Sequence, residues 1–232
     1  MKLILCDIEG TTTSIDFVHK TLFPYSRNKM EAYLQSHRQD KQIVTYLCDI
    51  YSEVTQKKAT EPTEQVFQTS LQNLLLWIDQ DKKHPLLKKI QGAIWETGYL
   101  ANEIQSHIYP DVKPQFEKWL ALGYQIGIYS SGSVQAQKLL FKYTSEGNLL
   151  SYLTCFFDTD MGGKKESQSY LNIAKAVQLF PSEICFISDS FEEIIAAQKA
   201  DFKVILIDRT NTLKQPTGYN FTHSFENIQI GF

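Results

Sequence analysis

Short apolar runs recur along the chain at spacings that predict the strands of a single sheet. The first run, Leu3–Cys6, is uninterrupted, which is typical of a strand buried on both faces. Further strands are predicted at residues 125–129, 153–157, 184–187 and 203–207, and helices at 111–122, 134–143, 167–179 and 191–200. Because strands and helices alternate, we expect an α/β fold: a doubly wound, mainly parallel sheet with helices on both faces.

The stretch from residue 14 to residue 109 has a different pattern, with helical spacing and no alternation of strands. Its clearest element is predicted at residues 63–80, where apolar positions recur every three or four residues after Pro62. One isolated strand cannot form a sheet, so the first strand belongs with the later ones. The sequence therefore predicts an α/β core from residues 1–13 and 110–232, and an all-helical cap, residues 14–109, inserted after the first strand.

Composition and charge are those of an ordinary globular protein and exclude several classes of function. Hydrophobic residues make up 43% of the 232 positions and charged residues 21%, so disorder is not expected. A formal net charge of -3 carries no signature of nucleic-acid binding. No apolar run approaches the ~20 residues that span a bilayer, and no signal-peptide pattern opens the chain. We therefore expect a cytoplasmic protein that acts as a monomer, without nucleic-acid or membrane partners.

Two acids follow the first predicted strand. Asp7 and Glu9 are two residues apart, so on an extended backbone their side chains project to the same side. Gly10 permits an unusual backbone angle in the turn, and the threonines after it are expected to present hydroxyls at its lip. Neighbouring carboxylates repel each other, and keeping both ionised calls for a hard cation such as Mg²⁺. The alternative is an ordinary strand-to-loop boundary with two solvated acids.

Polar residues also follow two of the later strands. Ser130 and Ser131 lie between a predicted strand and a helix, where hydroxyls and free amides form either an anion site or an ordinary capped turn. Lys164 follows a glycine turn and is preferred to Lys165 as the cation that neutralises a phosphoryl group. The alternative for the lysine pair is a solvated surface.

Two further acids follow the strand predicted at residues 184–187, which we call the second acidic strand end. Asp189 would complete a Mg²⁺ site if its strand lies beside the first; otherwise it caps the next helix. Glu193 lies four residues later at the start of that helix, and the sequence assigns it no role. Every candidate lies just after a core strand, at the edge where open α/β sheets bind ligands. Together they provide a nucleophile, an acid or base, hydroxyl donors, a cation and a metal ligand, which points to metal-assisted phosphoryl transfer.

The order of these motifs resembles that of the haloacid dehalogenase-like hydrolases. Asp7-Ile8-Glu9-Gly10-Thr11 is followed by the strand-end serines, a lysine and Ser188-Asp189. The usual first motif of the family's phosphatases is DxDx[TV], and Glu9 departs from it in a way that matches one branch. The segments that resemble this branch, the enolase-phosphatases (acireductone synthases) of methionine salvage, are DIEGTTTSIDFV, HIYPDV, IYSSGSVQAQKLLF, FFDT and KKESQSY.

The resemblance implies a role for each candidate. The residues implied to hold one Mg²⁺ are Asp7, Glu9 and Asp189. Those implied to bind the substrate phosphate are Ser130, Ser131 and Lys164. Asp7 would attack phosphorus to form an aspartyl-phosphate, and Glu9 would protonate the leaving oxygen and then activate water. The implied substrate is a small phosphorylated diketone, 2,3-diketo-5-methylthiopentyl-1-phosphate, which would be enolised with Mg²⁺ as a Lewis acid and then dephosphorylated to the acireductone.

Two other functions are compatible with the same motifs. A phosphatase of the same superfamily acting on another small ester would keep all of them. A receiver-like, non-enzymatic phosphoacceptor also uses an aspartate, a hydroxyl, a lysine and Mg²⁺ on a doubly wound sheet. It would need neither Glu9 as an acid nor a large helical insertion, and a long-lived phospho-Asp7 would favour it.

Overall fold

A computed structural model describes residues 2–212 and 218–231 of the chain, which divides into two units. One unit comprises residues 1–18 and 105–232, and the other comprises residues 19–104. The predicted helical insertion at 14–109 therefore begins and ends a few residues outside the second unit. The action of that unit as a cap stays a prediction.

A six-stranded parallel sheet organises the described part of the first unit. The strands are β1 Leu3–Cys6, β2 Gln125–Tyr129, β3 Cys155–Phe157, β4 Ile184–Ser188, β5 Lys203–Ile207 and β6 Asn220–Thr222. Their order across the sheet is β3-β2-β1-β4-β5-β6, so β1 pairs with both β2 and β4. The chain changes winding direction between β1 and β4, and doubly wound sheets bind ligands at such a switch point.

Helices account for most of the remaining described residues. They are α1 Ile15–Phe17, α2 Phe23–Ser36, α3 Lys41–Thr55, α4 Glu64–Asp79, α5 Pro85–Leu100, α6 Val112–Ala121, α7 Val134–Lys142, α8 Ser167–Val177 and α9 Phe191–Lys199. A π-helical turn covers Val18–Leu22, and short 3-10 turns cover Leu150–Tyr152, Thr159–Met161, Pro181–Glu183 and Phe225–Asn227. No helix in the described part of the chain combines the length and apolar character of a membrane span.

The first unit buries apolar side chains on both faces of the sheet. Leu3 and Leu5 of β1 share one cluster with Ile173 of α8 and Ile194 of α9. Ile4 and Cys6 are equally buried, and the alternation of a strand directs them to the opposite face. This two-sided burial explains the uninterrupted apolar run of β1 and confirms the predicted doubly wound fold class.

The second unit has an apolar core of its own, formed by α2, α3, α4 and α5. Members include Met30, Leu34, Leu47, Leu71, Leu74, Ile90 and Ile94. Local signals fix where the helices begin: the Asp40 carboxylate accepts from the amide of Gln42 at 2.7 Å, and the Thr63 hydroxyl accepts from the amide of Val66 at 3.3 Å. The spacing of apolar residues thus decides which helix faces pack together.

Two details of the sheet differ from the sequence prediction. The strand expected at 153–157 begins at Cys155, because the amide of Leu153 instead closes the preceding 3-10 turn on the carbonyl of Leu150. β6, Asn220–Thr222, was not predicted, since it is three residues long and two of them are polar. Short edge strands lack the apolar run that identifies a central strand.

Candidate active site

The carboxyl ends of three neighbouring strands bring candidate side chains to one edge of the sheet. Asp7 follows β1, Ser130 follows β2 and Asp189 follows β4. Since β1 lies between the other two strands, Asp7 occupies the central position. This is the edge where the sequence predicted a ligand site.

Asp7 directly follows β1, where its amide donates to the carbonyl of Ile187 in β4 at 2.9 Å, and Glu9 lies in the tight turn that comes next. β1 ends at Cys6, and the amides of Thr12 and Thr13 both donate to the carbonyl of Ile8 at 2.9 Å. Gly10 has a φ of +68°, a backbone conformation that glycine adopts without strain. The extended backbone therefore ends at Asp7, and the predicted placement of Asp7 and Glu9 on one side stays a prediction. Asp7 is 5% exposed, and Glu9 is half-buried.

The threonines of the turn face the protein interior, which corrects the expectation that they present hydroxyls at its lip. Thr11, Thr12 and Thr13 are all fully buried. The Thr11 hydroxyl accepts from the amide of Asp189 at 3.1 Å, and the Thr13 hydroxyl donates to the carbonyl of His107 at 2.6 Å. These side chains hold the turn in place from behind and are already hydrogen-bonded within the protein.

Lys164 joins the buried carboxylate of Asp7 to the partly buried carboxylate of Glu193 across this edge. Its ammonium lies 2.6 Å from Asp7 Oδ1 and 2.7 Å from Glu193 Oε2. Ser188 donates to the same Glu193 oxygen at 2.9 Å. Burial alone would lower the pKa of Lys164, but the charges of Asp7 and Glu193 outweigh it, so the pKa is raised and the ammonium stays protonated.

The neighbouring Lys165 has a different environment, which bears on the choice between the two lysines. Lys165 is 67% exposed and pairs with the exposed carboxylate of Glu192. A solvated surface pair of this kind contributes little to stability. Of the two lysines, Lys164 alone is joined to Asp7, although its predicted contact with a phosphate is not tested by this geometry.

Three buried hydroxyls position the loop that carries Lys164. The contacts run from Tyr129 Oη to the carbonyl of Gly162 at 3.0 Å, from Ser169 Oγ to that of Gly163 at 2.7 Å, and from Tyr170 Oη to that of Lys164 at 2.6 Å. Each hydroxyl donates to a carbonyl of this loop, and the Gly163 carbonyl also accepts from the amide of Glu166 at 2.9 Å. The lysine thus extends from a backbone fixed at three consecutive residues.

Asp189 carries a carboxylate that its surroundings do not neutralise. It packs against the turn so closely that a Cβ at Gly10 would lie 2.0 Å from its Oδ2. Burial, followed by the charges of Asp7 and Glu193, raises its pKa to about 7. A hard cation beside this carboxylate would offset the repulsion, so the local chemistry fits Mg²⁺.

The side chains do not form a ready-made three-ligand metal centre. Within residues 2–212 and 218–231, no three acidic, histidine or cysteine side chains converge with metal-site spacing. Mg²⁺ is usually held by one or two carboxylates, with water and substrate oxygens completing its shell. The roles of Asp7, Asp189 and Glu9 as Mg²⁺ ligands stay predictions.

The turn after β2 has the form of a helix N-terminus with polar groups around it. Ser130 is buried, its hydroxyl accepts from the amide of Gly132 at 3.2 Å, and Ser131 is half-buried beside it. Ser133 caps α7, and Asp158 accepts from the amide of Val134 at 3.2 Å. The predicted phosphate contacts of Ser130 and Ser131 remain predictions.

Sequence reasoning assigned no role to Glu193 and did not single out Tyr170. The position of Glu193, four residues after Asp189 at the start of α9, is a local signal that could have identified it. Tyr170 had no such signal, because a buried tyrosine on an amphipathic helix is ordinarily part of a core.

Comparison with known proteins places this site in a family. The model of the haloacid dehalogenase-like hydrolases matches residues 1–201. The chain is 42% identical over 233 residues to the enolase-phosphatase E1 of Sulfurihydrogenibium sp., covering 100% of this chain and 99% of that protein. It is 44% identical over 214 residues to the enolase-phosphatase E1 of Drosophila pseudoobscura, covering 90% of this chain and 85% of that protein.

A solved structure extends the likeness to the arrangement of the backbone. The UTR4 protein of Saccharomyces cerevisiae matches with a TM-score of 0.80 and 32% identity, covering 98% of this chain and 99% of that one. The family model, the sequence relatives and this structure all cover most of the chain. The chain therefore belongs to the enolase-phosphatases of the haloacid dehalogenase-like hydrolase family.

Proposed function

We propose that this chain is a Mg²⁺-dependent enolase-phosphatase of methionine salvage, an acireductone synthase. It would convert 2,3-diketo-5-methylthiopentyl-1-phosphate to 1,2-dihydroxy-3-keto-5-methylthiopentene and phosphate. The observation that carries the proposal is the buried Asp7 beside Lys164 at the end of the central strand, in a chain similar to named enolase-phosphatases over most of its length. Hydrolase membership disfavours the non-enzymatic phosphoacceptor.

Asp7 is the proposed nucleophile. One of its carboxylate oxygens forms a bond to phosphorus while the bond from phosphorus to the substrate alkoxide breaks, which gives an aspartyl-phosphate. Glu9 gives its proton to the departing oxygen and then removes a proton from the water that releases inorganic phosphate. The Lys164 ammonium lies 2.6 Å from Oδ1 of Asp7 and offsets part of the negative charge beside the incoming phosphoryl group.

The phosphoryl oxygens gain their stabilisation from fixed positive groups. Lys164, the Ser130 hydroxyl and the Ser131 amide are proposed to contact them, and most phosphoryl-transfer catalysis arises from such positioned charge. Bound Mg²⁺, held by Asp7 and Asp189 with Glu9 as the third predicted ligand in its ionised form, would supply further charge neutralisation and favour the enolate as a Lewis acid.

The remaining expectations concern the setting of the reaction. The helical unit, residues 19–104, is proposed to act as a cap that excludes water and selects the methylthio end of the substrate. The protein is proposed to act as a cytoplasmic monomer on this small phosphorylated diketone. None of the motifs requires a macromolecular partner.

The function is tested by incubating the protein with the diketo phosphate, with and without Mg²⁺, and following enol and inorganic phosphate separately. We expect both products with Mg²⁺ and neither with a chelator. Phosphate released without enol would reduce the assignment to a phosphatase. Faster turnover of an unrelated small phosphate ester would favour the alternative phosphatase of the same superfamily.

Replacement of the nucleophile should abolish phosphate release. We expect Asp7→Asn to lower turnover by on the order of 10⁴-fold or more and to eliminate trapping of the aspartyl-phosphate. Asp201→Asn is the matched control, because Asp201 is exposed and its φ of +62° is tolerated by asparagine. Turnover near the wild-type rate in a folded Asp7→Asn protein would contradict the mechanism.

Replacement of Glu9 should separate the two chemical steps. General acid–base catalysis typically contributes about 10²- to 10⁴-fold, so Glu9→Gln should lower steady-state turnover by that order while phosphoenzyme still accumulates. Quenched-flow measurement of phosphoenzyme and phosphate separates the steps. Glu192→Gln, at an exposed acid paired with Lys165, should behave as wild type. Equal loss of trapping and turnover in Glu9→Gln would remove the assignment.

Asp189 should make stability depend on pH and Mg²⁺. The unfolded carboxyl titrates near 3.9, whereas burial and acidic neighbours raise the folded pKa to about 7. The stability that the protonated Asp189 carboxyl contributes is therefore fully present below about pH 4, and this contribution is lost as pH rises through about 7. Without Mg²⁺ at pH 8, Asp189→Asn should unfold at a higher temperature than wild type, with a margin that narrows towards pH 4.

Added Mg²⁺ should reverse the difference in unfolding temperature between wild type and Asp189→Asn in the same experiment. A ligand at about 100 times its Kd adds about 2.7 kcal/mol to the free energy of unfolding. We expect such a gain for wild type and little for Asp189→Asn. Equal stabilisation of both proteins would show that Asp189 is not a ligand.

A further inference from the structure

Arg209 reaches the first motif from a distant part of the sequence. It follows β5, which is separated from β1 by β4, and its side chain is 6% exposed. Its Nε and Nη2 donate to the carbonyl oxygen of Thr11 at 3.0 and 2.9 Å. Two donors on one guanidinium therefore converge on a single backbone oxygen of the turn that carries Asp7 and Glu9.

The guanidinium is held on its other side. Its Nη1 donates to Asp111 Oδ2 at 2.5 Å, and its plane packs against the rings of Tyr109 and Phe225 at 4.2 and 4.8 Å from their centroids. The same Asp111 oxygen accepts from Ser224 Oγ at 2.7 Å and from the amide of Phe225 at 2.8 Å. A planar fork fixed in this way has little freedom to follow a shift of the turn.

Thr11 passes this constraint to the neighbouring strand end. Its carbonyl is bound by Arg209, and its hydroxyl accepts from the amide of Asp189 at 3.1 Å. Thr11 is fully buried, so no solvent competes for either contact. One residue thus connects the Arg209 fork with the backbone of the second acidic strand end.

We propose that Arg209 is a positioning residue for phosphoryl transfer, which acts through Thr11 to set the spacing between the Asp7 turn and Asp189. This inference rests on the proposed function, because it takes those two acids as the metal-binding pair. It assigns Arg209 no contact with the substrate. Lysine cannot replace it, since an ammonium is a point charge and not a planar fork.

The test compares Arg209→Lys and Arg209→Gln with wild type by Mg²⁺ calorimetry, by kcat and KM, and by thermal unfolding. Misplacement by about 1 Å can cost on the order of 10²-fold in rate. We expect both variants to lose about 10- to 100-fold in kcat, with KM changed less than about 3-fold, and to bind Mg²⁺ about 10-fold more weakly. The loss in Arg209→Lys should match that in Arg209→Gln.

Thr144→Val is the control for lost stability alone. Thr144 is buried in the same unit and donates to the carbonyl of Gly147 in a turn, so its replacement also removes a side-chain bond to a turn carbonyl. We expect a lower unfolding temperature with unchanged kcat and Mg²⁺ affinity. If Arg209→Gln does not fold, Arg209→Lys and Thr11→Val, which removes the acceptor of the Asp189 amide, carry the test.

Several outcomes would overturn the positioning role. Wild-type kcat and Mg²⁺ affinity in either folded Arg209 variant would do so, and so would restoration by Arg209→Lys, which would assign the effect to charge. Losses that follow unfolding temperature as in Thr144→Val would make Arg209 merely structural. If the wild-type protein binds Mg²⁺ but does not turn over the diketo phosphate, the proposed function alone is rejected. Calorimetric comparison of Mg²⁺ affinity between wild type and the Arg209 variants would still decide the role of Arg209.

Discussion

The concentration of negative charge at the carboxyl edge of the sheet is the constraint on which the rest of the site depends. The charges of Asp7 and Glu193 both act on Asp189 there, and Lys164 is the cation that joins Asp7 to Glu193. Taking charged groups out of water is costly, and breaking a buried pair by removing one partner typically costs about 3–5 kcal/mol. The ammonium fixed beside Asp7 offsets part of this negative charge.

That requirement explains why many of the surrounding side-chain hydroxyls form hydrogen bonds to backbone groups. Lys164 can neutralise Asp7 only if its loop is held, and the hydroxyls of Tyr129, Ser169 and Tyr170 bind three consecutive carbonyls of that loop. On the opposite side, the buried threonine hydroxyls bind the turn to its neighbours. A lysine or carboxylate displaced from this geometry would leave an uncompensated buried charge. The fixed backbone around the site therefore serves first to keep the buried charges paired.

Local sequence patterns were sufficient for most of the fold. β1, β2 and β5 begin and end at the predicted residues, because a strand buried on both faces requires an unbroken apolar run. Such a run is absent from the short edge strand at Asn220–Thr222, which was missed. The alternation of strands and helices predicted a parallel sheet, whereas the order of its strands is known only from the structure.

The site was predictable only where chemistry lies next to a strand end. Asp7, Ser130 and Asp189 immediately follow strands, so topology brought them together. The contacts that fix them are remote in sequence: Lys164, which the sequence did offer as a phosphate-binding cation, lies 157 residues from Asp7, and Arg209 lies 198 residues from Thr11. No periodicity or spacing encodes such contacts. Tyr170 likewise reads as an ordinary core aromatic until its hydroxyl is seen to bind the carbonyl of Lys164.

The negative charge that Lys164 does not balance bears on the function of the site. Lys164 is shared between Asp7 and Glu193, and the pKa of Asp189 still rises to about 7. A core selected for stability alone would replace such a carboxylate with an apolar or amide side chain. Asp189 packs against Gly10, where even a methyl group would clash with its carboxylate, and the predicted role of that carboxylate is to hold a cation. Binding of that cation would then contribute to folding as well as to catalysis, because it stabilises only the state in which both acidic strand ends are aligned.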